Sequence, residues 1–145
     1  MYTVLMPVDE HEEYADEQVK TLLSLPADKE NLSVVVLHVH KKLDQQSDTL
    51  GTAFVDDLDD AIIETHDPPQ AVMNAVEQLR EAGVETELKE MVDDPVDGIL
   101  KAADIIDADS ILIAGRKSST VGKMLFGSVS QKVIVKTDRV VILAD

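Results

Sequence analysis

The sequence predicts an α/β domain built on a doubly wound, parallel sheet of five strands. Three observations lead to this fold class. Segments with strand and helix patterns alternate along the chain, which is typical of a parallel sheet covered by helices on both faces. Most of the strand segments are nearly unbroken apolar runs, as in strands buried on both faces. The length of 145 residues suits one domain over residues 1–145.

The chain opens with a strand, a helix and a second strand. Residues 3–8 (TVLMPV) form an apolar run, which predicts the first and central strand. Residues 12–25 carry apolar side chains at helical spacing and end before Pro26, which predicts the first helix. Residues 32–39 (LSVVVLHV) are rich in β-branched side chains and predict the second strand.

A long polar segment separates these elements from the second helix. Residues 40–67 carry eight acids and show no clear period before residue 57, which predicts a surface excursion. Pro68 and Pro69 suit the first turn of a helix that ends at Gly83. The apolar stripe of this helix consists of Ala71, Val72, Ala75, Val76 and Leu79.

An edge strand and a third helix follow. Residues 84–92 alternate between apolar and polar side chains as VETELKEMV, which predicts a strand at a wetter edge of the sheet. Asp93 or Asp94 can cap the next helix, which begins at Pro95. We expect its inward side chains to be Ile99, Leu100, Ala103 and Ile106.

The last third of the chain contributes two strands and one helix. Residues 110–114 (SILIA) predict the fourth strand, and residues 139–143 (RVVIL) predict the fifth. Between them, a loop over residues 115–127 leads to a helix from Ser128 to about Lys136. We expect Val129, Val133 and Ile134 to face inward on this helix.

The composition excludes several kinds of site. The chain has no cysteine, which excludes disulfides, thiolate zinc sites and cysteine nucleophiles. His38 and His40 share one face of a strand, but a metal needs further ligands, so we expect strand-end polar residues and no metal site. The sequence shows neither a membrane span nor a signal peptide, and we expect a cytoplasmic protein without a membrane partner.

The net charge of the chain also limits the kinds of partner it can bind. With 29 acids and 13 bases the chain carries −16, which argues against a nucleic-acid partner. Such an acidic surface resembles that of proteins from salt-accumulating halophiles, and an ordinary acidic cytosolic protein is the alternative. Residues 116–139 are the exception, because six bases stand there against Asp138. These bases are Arg116, Lys117, Lys123, Lys132, Lys136 and Arg139.

The loop AGRKSSTVGKMLFGSVSQ is the strongest functional signal. Gly127 and Ser128 stand at the mouth of a helix, where free backbone amides and the positive helix end suit an anion. Arg116, Lys117 and Lys123 add positive charge, and the hydroxyls of Ser128 and Ser130 can form hydrogen bonds. The pattern GxxxxGK[ST] is absent, so this is not the common triphosphate loop. The alternative is a tightly turning loop in which Ser128 only caps its helix.

The order of these segments is similar to that of the universal stress protein family over essentially the whole chain. The resemblance is carried by MYTVLMPVDE, LHV, IAGRKSSTVGKMLFGSVSQKV and VVIL. It implies a Rossmann-like sheet of the adenine-nucleotide α-hydrolase type, with strand order 3-2-1-4-5, and ATP bound at its carboxyl edge. The site that the resemblance implies includes Pro7, Val8 and Val39 beside the base, Asp9 at the ribose or adenine, and Gly127, Ser128, Val129 and Ser130 at the phosphates and ribose.

The chain departs from the family at the glycine loop. ATP-binding members have two further glycines at the positions of Ala114 and Lys117, whereas Gly115 and Gly122 are out of register. Lys117 can block the close approach of a phosphate or pair with it. Asp9 also has an alternative role, as the cap of the first helix near His11 and Glu12.

Three functional hypotheses follow. The first is a nucleotide-binding stress or signalling protein, with at most slow ATP hydrolysis assisted by magnesium and no catalytic residue that we can name. The second is a dimeric interaction module without ATP. The third is an enzyme of another doubly wound family, such as a hydrolase or an electron-transfer protein. The absence of a GxSxG turn argues against a hydrolase, and the absence of a Ser/Thr-rich loop after the first strand argues against a flavin phosphate site. The resemblance also implies a homodimer through the last strand, at Val140, Val141, Ile142 and Leu143.

Overall fold

The computed structural model describes residues 1–41, 68–117, 124–125 and 127–144, and of residues 116, 117, 124 and 125 it describes the backbone. Strands and helices alternate along the described chain. In order they are β1 (Tyr2–Pro7), α1 (Glu12–Leu23), a short 3₁₀ helix (Lys29–Asn31), β2 (Leu32–Lys41), α2 (Gln70–Glu81), β3 (Glu85–Asp93), α3 (Pro95–Ile106), β4 (Ser110–Ala114), β5 (Arg116–Lys117), β6 (Met124–Leu125), α4 (Ser128–Lys136) and β7 (Val140–Ala144).

Five strands form one parallel sheet in the order β3-β2-β1-β4-β7. Since β7 is the fifth strand of this sheet, the predicted fold class and the order 3-2-1-4-5 are confirmed. Helices α1 and α2 pack on one face of the sheet, and α3 and α4 pack on the other. The sheet therefore separates two apolar cores, as expected for a doubly wound fold.

Successive side chains of the central strands enter opposite cores. In β1, Val4 and Met6 pack in the core of α1 and α2, whereas Leu5 packs in the core of α3 and α4. In β2, Val34 and Val36 alternate with Val35 in the same way. Burial on both faces explains why these strands are continuous apolar runs in the sequence.

The predicted stripe and end of α2 and the predicted N-cap of α3 are present in the structure. Every residue of the predicted α2 stripe is buried, and Gly83 after it has a φ of 88°. At that angle an L side chain is strained, so a glycine ends the helix there. Asp94 is the N-cap of α3, and its carboxylate accepts a hydrogen bond from the amide of Asp97 at 3.2 Å.

Three sequence predictions need correction or lie outside the structure. Ile134 is 36% exposed, because the short helix α4 fully buries only Val133. The loop after β4 was predicted without strands, but Arg116 and Lys117 pair antiparallel with Leu125 and Met124. Of the predicted excursion, residues 42–67 lie outside the described residues, whereas the residues before them extend β2 to Lys41.

A crevice opens beside β1, where the strand order reverses. β1 pairs with β2 along its whole length, but it pairs with β4 only at Val4 with Ser110 and at Leu5 with Ile111. Beyond these positions the ends of β1 and β4 are not paired with each other. Ligands of doubly wound sheets bind at such a point, outside the carboxyl ends of the strands.

Candidate functional site

The end of β1 forms one wall of the crevice. Val8 is buried, and its amide donates to the carbonyl of Leu37 at 2.9 Å. Asp9 follows and is exposed, and its carboxylate accepts from the amide of His11 at 2.8 Å and lies 3.1 Å from the His11 ring. The N-cap residue of α1 is His11, without a side-chain capping bond, so the interpretation of Asp9 as the helix cap is wrong.

Gln18 bridges the gap between β1 and β4. This α1 side chain is 2% exposed, and its Nε2 donates to the carbonyl of Pro7 at 2.7 Å and to that of Leu112 at 3.2 Å. Gln18 is a functional residue that sequence reasoning missed. Its position on the inward face, beside Ala15 and Val19, is the signal that could have found it.

The end of β2 forms the second wall. Val39 is partly buried and packs in the core of α3 and α4. Helix α3 approaches it closely at Gly98, where an added Cβ would lie 2.9 Å from Val39 Cγ1. Gly98 is a second residue that sequence reasoning missed. A glycine within a helix does not show which distant side chain packs against it.

The start of α4 faces the same edge. Gly127 is the N-cap and is exposed, and no described atom lies within 4 Å of a Cβ built on it. Ser128 is the first helical residue and makes no side-chain capping bond, so the capping interpretation of Ser128 is wrong. The hydroxyl of Ser130 donates a long bond of 3.5 Å to the carbonyl of Ala114, which links α4 to the end of β4.

A hollow of about 440 Å³ lies between the end of β2 and the starts of α3 and α4. Its volume is within the usual range for small-molecule sites, about 300–1,000 Å³. Ser128 and Val129 were predicted site residues, whereas the other lining residues were not. Among the described residues, those that line it are Lys41, Asp94, Pro95, Val96, Ser128, Val129 and Lys132.

A larger hollow of about 530 Å³ lies at the opposite edge of the sheet, near Arg80 and Gly83. It is a shallow surface at the amino ends of the strands. Parallel sheets hold their ligands at the carboxyl ends. We therefore place the candidate site at the smaller hollow and the crevice beside β1.

Arg139, one of the six bases near the end of the chain, lies away from the hollow. Arg139 binds the carboxylates of Asp104 at 3.1 Å and Asp107 at 3.4 Å, as well as the carbonyl of Ala108. The hydrogen bond to Asp104 raises the pKa of Arg139. Arg139 therefore makes a structural contact at the amino edge, whereas Lys132, whose side chain is described, lines the hollow.

The two histidines of β2 lie on the face opposite the hollow. Their ring centroids are 4.7 Å apart, His40 Nε2 is 3.0 Å from a carboxylate oxygen of Glu90, and His38 Nδ1 is 3.0 Å from the carbonyl of Val8. Burial lowers the pKa of His38, although its hydrogen bond to Val8 acts in the other direction. In the described part of the chain, no three His, Asp or Glu residues are grouped to hold a metal ion.

The residues at the family's glycine positions lie just beyond the sheet. Ala114 ends β4, and the amide of Gly115 donates to the carbonyl of Ala144 at 2.9 Å. Lys117 stands in β5 opposite Met124. The Arg116 and Lys117 side chains and all of Lys123 lie outside the described residues, so their predicted role in the site is untested.

A doubly wound sheet with a hollow at its carboxyl edge defines a Rossmann-like, ligand-binding class of protein. Within that class, the model of the universal stress protein family matches residues 1–144, and the chain belongs to this family. Within its described residues, no helix has the length and apolar character needed to cross a membrane.

Solved structures agree with this assignment. A universal stress protein from Archaeoglobus fulgidus is 29% identical with a TM-score of 0.70, and the match covers 100% of this chain and 99% of that one. A universal stress protein from the same organism, in complex with dAMP, is 26% identical with a TM-score of 0.68 over 100% and 98% of the two chains. An Arabidopsis thaliana family member with AMP bound shares the fold at 15% identity, with a TM-score of 0.61 over 99% and 91%. No curated protein sequence matches the chain significantly.

Proposed function

We propose that the protein binds an adenine nucleotide at the carboxyl edge of its sheet. The observation that carries this proposal is the hollow of about 440 Å³ at the sheet's carboxyl edge, lined by Ser128 and Val129 at the start of α4. The relative at 26% identity that holds dAMP supports an adenine nucleotide as the ligand. ATP with magnesium and AMP are the two forms that we propose to test.

The phosphates bind at the start of α4 in this proposal. The backbone amides at a helix start have no partner within the helix and carry a partial positive charge, which suits a phosphate. The space beside Gly127 lets a phosphate approach the backbone without meeting a side chain. Lys41 and Lys132 line the same hollow, and neither forms an ion pair with the described residues. They supply positive charge in a chain of net charge −16.

The base and ribose bind between the ends of β1 and β2. Val39, partly buried at the end of β2, offers an apolar contact to the base. Val8 is buried in the core of α1 and α2 and contributes its backbone, and the rim from Pro7 to Asp9 offers carbonyl and carboxylate oxygens. The carboxylate of Asp9 already contacts His11. Each carboxylate oxygen has more than one lone pair, so a ribose hydroxyl can still donate to Asp9.

The nucleotide proposal is tested by calorimetric titration of AMP and of ATP with magnesium in molar KCl. We expect the native protein to bind. Lys117→Gly, measured beside it, separates two roles of Lys117: weaker ATP binding by the variant means that the lysine pairs with a phosphate, and tighter binding means that it obstructs the site. If neither protein binds, the dimeric interaction module without ATP is the better account, an alternative that rests on Ala114 and Lys117 standing at the family's glycine positions.

We also propose that the protein is a homodimer through β7, in the cytoplasm of a salt-accumulating cell. β7 is an edge strand of the sheet, and Val140 and Leu143 on it are 60% and 41% exposed. An exposed apolar edge strand is a template for pairing with a second chain. The net charge of −16 supports a salt-rich setting, because dense salt screens the repulsion between surface acids.

A further inference from the structure

We propose that Gln18 and His38 are positioning residues of the nucleotide site. They hold two consecutive carbonyl groups at the end of β1, those of Pro7 and Val8, from the face of the sheet opposite the hollow. This inference rests on the proposed function, because the rim of β1 is where the base and ribose bind.

Gln18 fixes the distance between β1 and β4 where the crevice opens. The two strands pair only as far as Leu5 and Ile111, so the later carbonyls facing the gap have no ladder partner across it. The amide of Gln18 has two hydrogens, and one goes to the carbonyl of Pro7 and the other to that of Leu112, at 2.7 and 3.2 Å. The side chain thus replaces the missing ladder bond and lets the strands stand apart at a defined width.

His38 holds the same end of β1 from the side of β2. Its Nδ1 lies 3.0 Å from the carbonyl of Val8. A carbonyl only accepts, so Nδ1 carries the proton and donates. The ring is itself held, because the His40 ring meets it edge-on at 4.7 Å and Glu90 binds His40 at 3.0 Å.

The two contacts act on opposite sides of one strand. Consecutive carbonyls of a strand point in opposite directions within the sheet. The carbonyl of Pro7 points toward β4 and is held by Gln18, and that of Val8 points toward β2 and is held by His38. Together they fix the peptide that leads into Asp9. A binding group held in this way does not have to be ordered when the ligand arrives.

The burial of Gln18 distinguishes it from a surface glutamine. It is 2% exposed within an apolar core, and burying an amide is unfavourable unless its hydrogen bonds are made. A methionine of similar length would fill the same space without a polar group. The pair of hydrogen bonds at the crevice is therefore what Gln18 adds beyond packing.

The experiment compares variants that change the rim with a variant that only weakens the fold. Gln18→Met removes the two hydrogen bonds to the carbonyls of Pro7 and Leu112. His38→Leu removes the hydrogen bond to the carbonyl of Val8, and His38→Asn keeps an N–H at the place of Nδ1. Leu22→Ala is the control, since Leu22 lies one turn further along the same helix, is 1% exposed in the same core and has no polar side-chain group to hold a carbonyl. AMP affinity is measured by calorimetry where every variant is folded, and amide exchange of Val8, Asp9 and Ala114 is measured without nucleotide.

We expect AMP to bind roughly tenfold more weakly to Gln18→Met and to His38→Leu, and the rim amides of both variants to exchange faster. His38→Asn and Leu22→Ala are expected to stay near the native affinity. The positioning role is overturned if Leu22→Ala weakens AMP binding as much as Gln18→Met and His38→Leu do. It is also overturned if amide exchange at the rim is unchanged in Gln18→Met. In both cases the proposed function stands. If the native protein does not bind AMP, the proposed function fails and this inference with it.

Discussion

At the scale of single residues, His38 is a histidine whose surroundings favour the neutral ring. Burial lowers its pKa, and the nearby His40 acts in the same direction. The groups that act in the other direction are the carbonyl of Val8, the carboxylate of Glu90 and that of Asp9. Burial is the largest of these effects, so the folded protein binds a proton at His38 less readily than the unfolded chain does.

This difference predicts a pH dependence of stability. Above the ordinary histidine pKa of about 6.5, the His38 ring is neutral in both the folded and the unfolded state, so its protonation does not affect the free energy of unfolding. As the pH falls through that value the unfolded chain takes up the proton first, so the free energy of unfolding decreases until the folded state is protonated too. Chemical denaturation in molar KCl at pH 7.5 and 5.5 measures the loss. We expect His38→Asn to reduce the loss.

His11→Asn is the matched control, because His11 is an exposed histidine that also contacts Asp9. If the two variants change the pH dependence equally, burial of His38 is not its cause.

Site residues were predictable only where sequence carries a local signal. Gly127 and Ser128 stand out because a glycine and a small polar residue precede a helical pattern. Gln18 and Lys41 give no such signal, since each is defined by a strand or helix distant in the chain. Gln18, for example, meets Leu112, which is 94 positions away.

At the scale of elements, the contact between α3 and the end of β2 depends on Gly98. Replacing a glycine within a helix by alanine gains up to about 1 kcal/mol of helix propensity. Here the new Cβ would lie 2.9 and 3.1 Å from the two γ-carbons of Val39, which is too close. Valine is stiff at χ1, so Val39 itself must move.

We therefore expect Gly98→Ala to lower the free energy of unfolding by about 1 kcal/mol, as the cost of overpacking exceeds the gain in propensity. Val39→Ala removes the two γ-carbons, so the double variant should be more stable than the sum of the single effects predicts, by about 1 kcal/mol. A double-mutant cycle in urea measures this coupling. The pair Gly98→Ala and Val35→Ala is the control, and equal coupling in both pairs would show that contact with Val39 is not responsible.

Element type was predictable because burial sets the hydrophobic pattern. The buried strand β4 was identified from its short apolar run. Helix α2 was identified from the helical spacing of its apolar residues and from its proline and glycine ends, and it buries the five residues of its predicted stripe. The inward face of α4 was only partly predicted, because its pattern does not reveal that this short helix buries Val133 and leaves Ile134 36% exposed. The strand pair of β5 and β6 was missed because each has two residues, too few for a period.

At the scale of the whole molecule, β7 and its exposed side chains predict an assembly. Val140 is 60% exposed in the single chain, so Val140→Lys should leave the protomer folded while placing like charges at the pairing edge. We expect light scattering in molar KCl to give a dimer for the native protein and a monomer for Val140→Lys. Ile105→Lys is the control, because Ile105 is 52% exposed but lies on α3. A native monomer, or dissociation by both variants, would contradict pairing through β7.

The central and edge positions of two strands could be predicted from the residues, and the full strand order from the family resemblance, whereas the shape of the site could not be predicted. An apolar first strand and an alternating third strand already place β1 at the centre and β3 at an edge. The hollow depends on where β2, α3 and α4 end relative to one another, and no single segment encodes that relation.

The most direct test of the central claim is an amide NMR titration of the native protein with AMP in molar KCl. The account predicts saturable shift changes at the carboxyl edge, around Val8, Asp9, Val39 and Ser128. Changes centred on Arg80 and Gly83, in the larger hollow at the opposite edge, would contradict it. No change at millimolar AMP would contradict it equally.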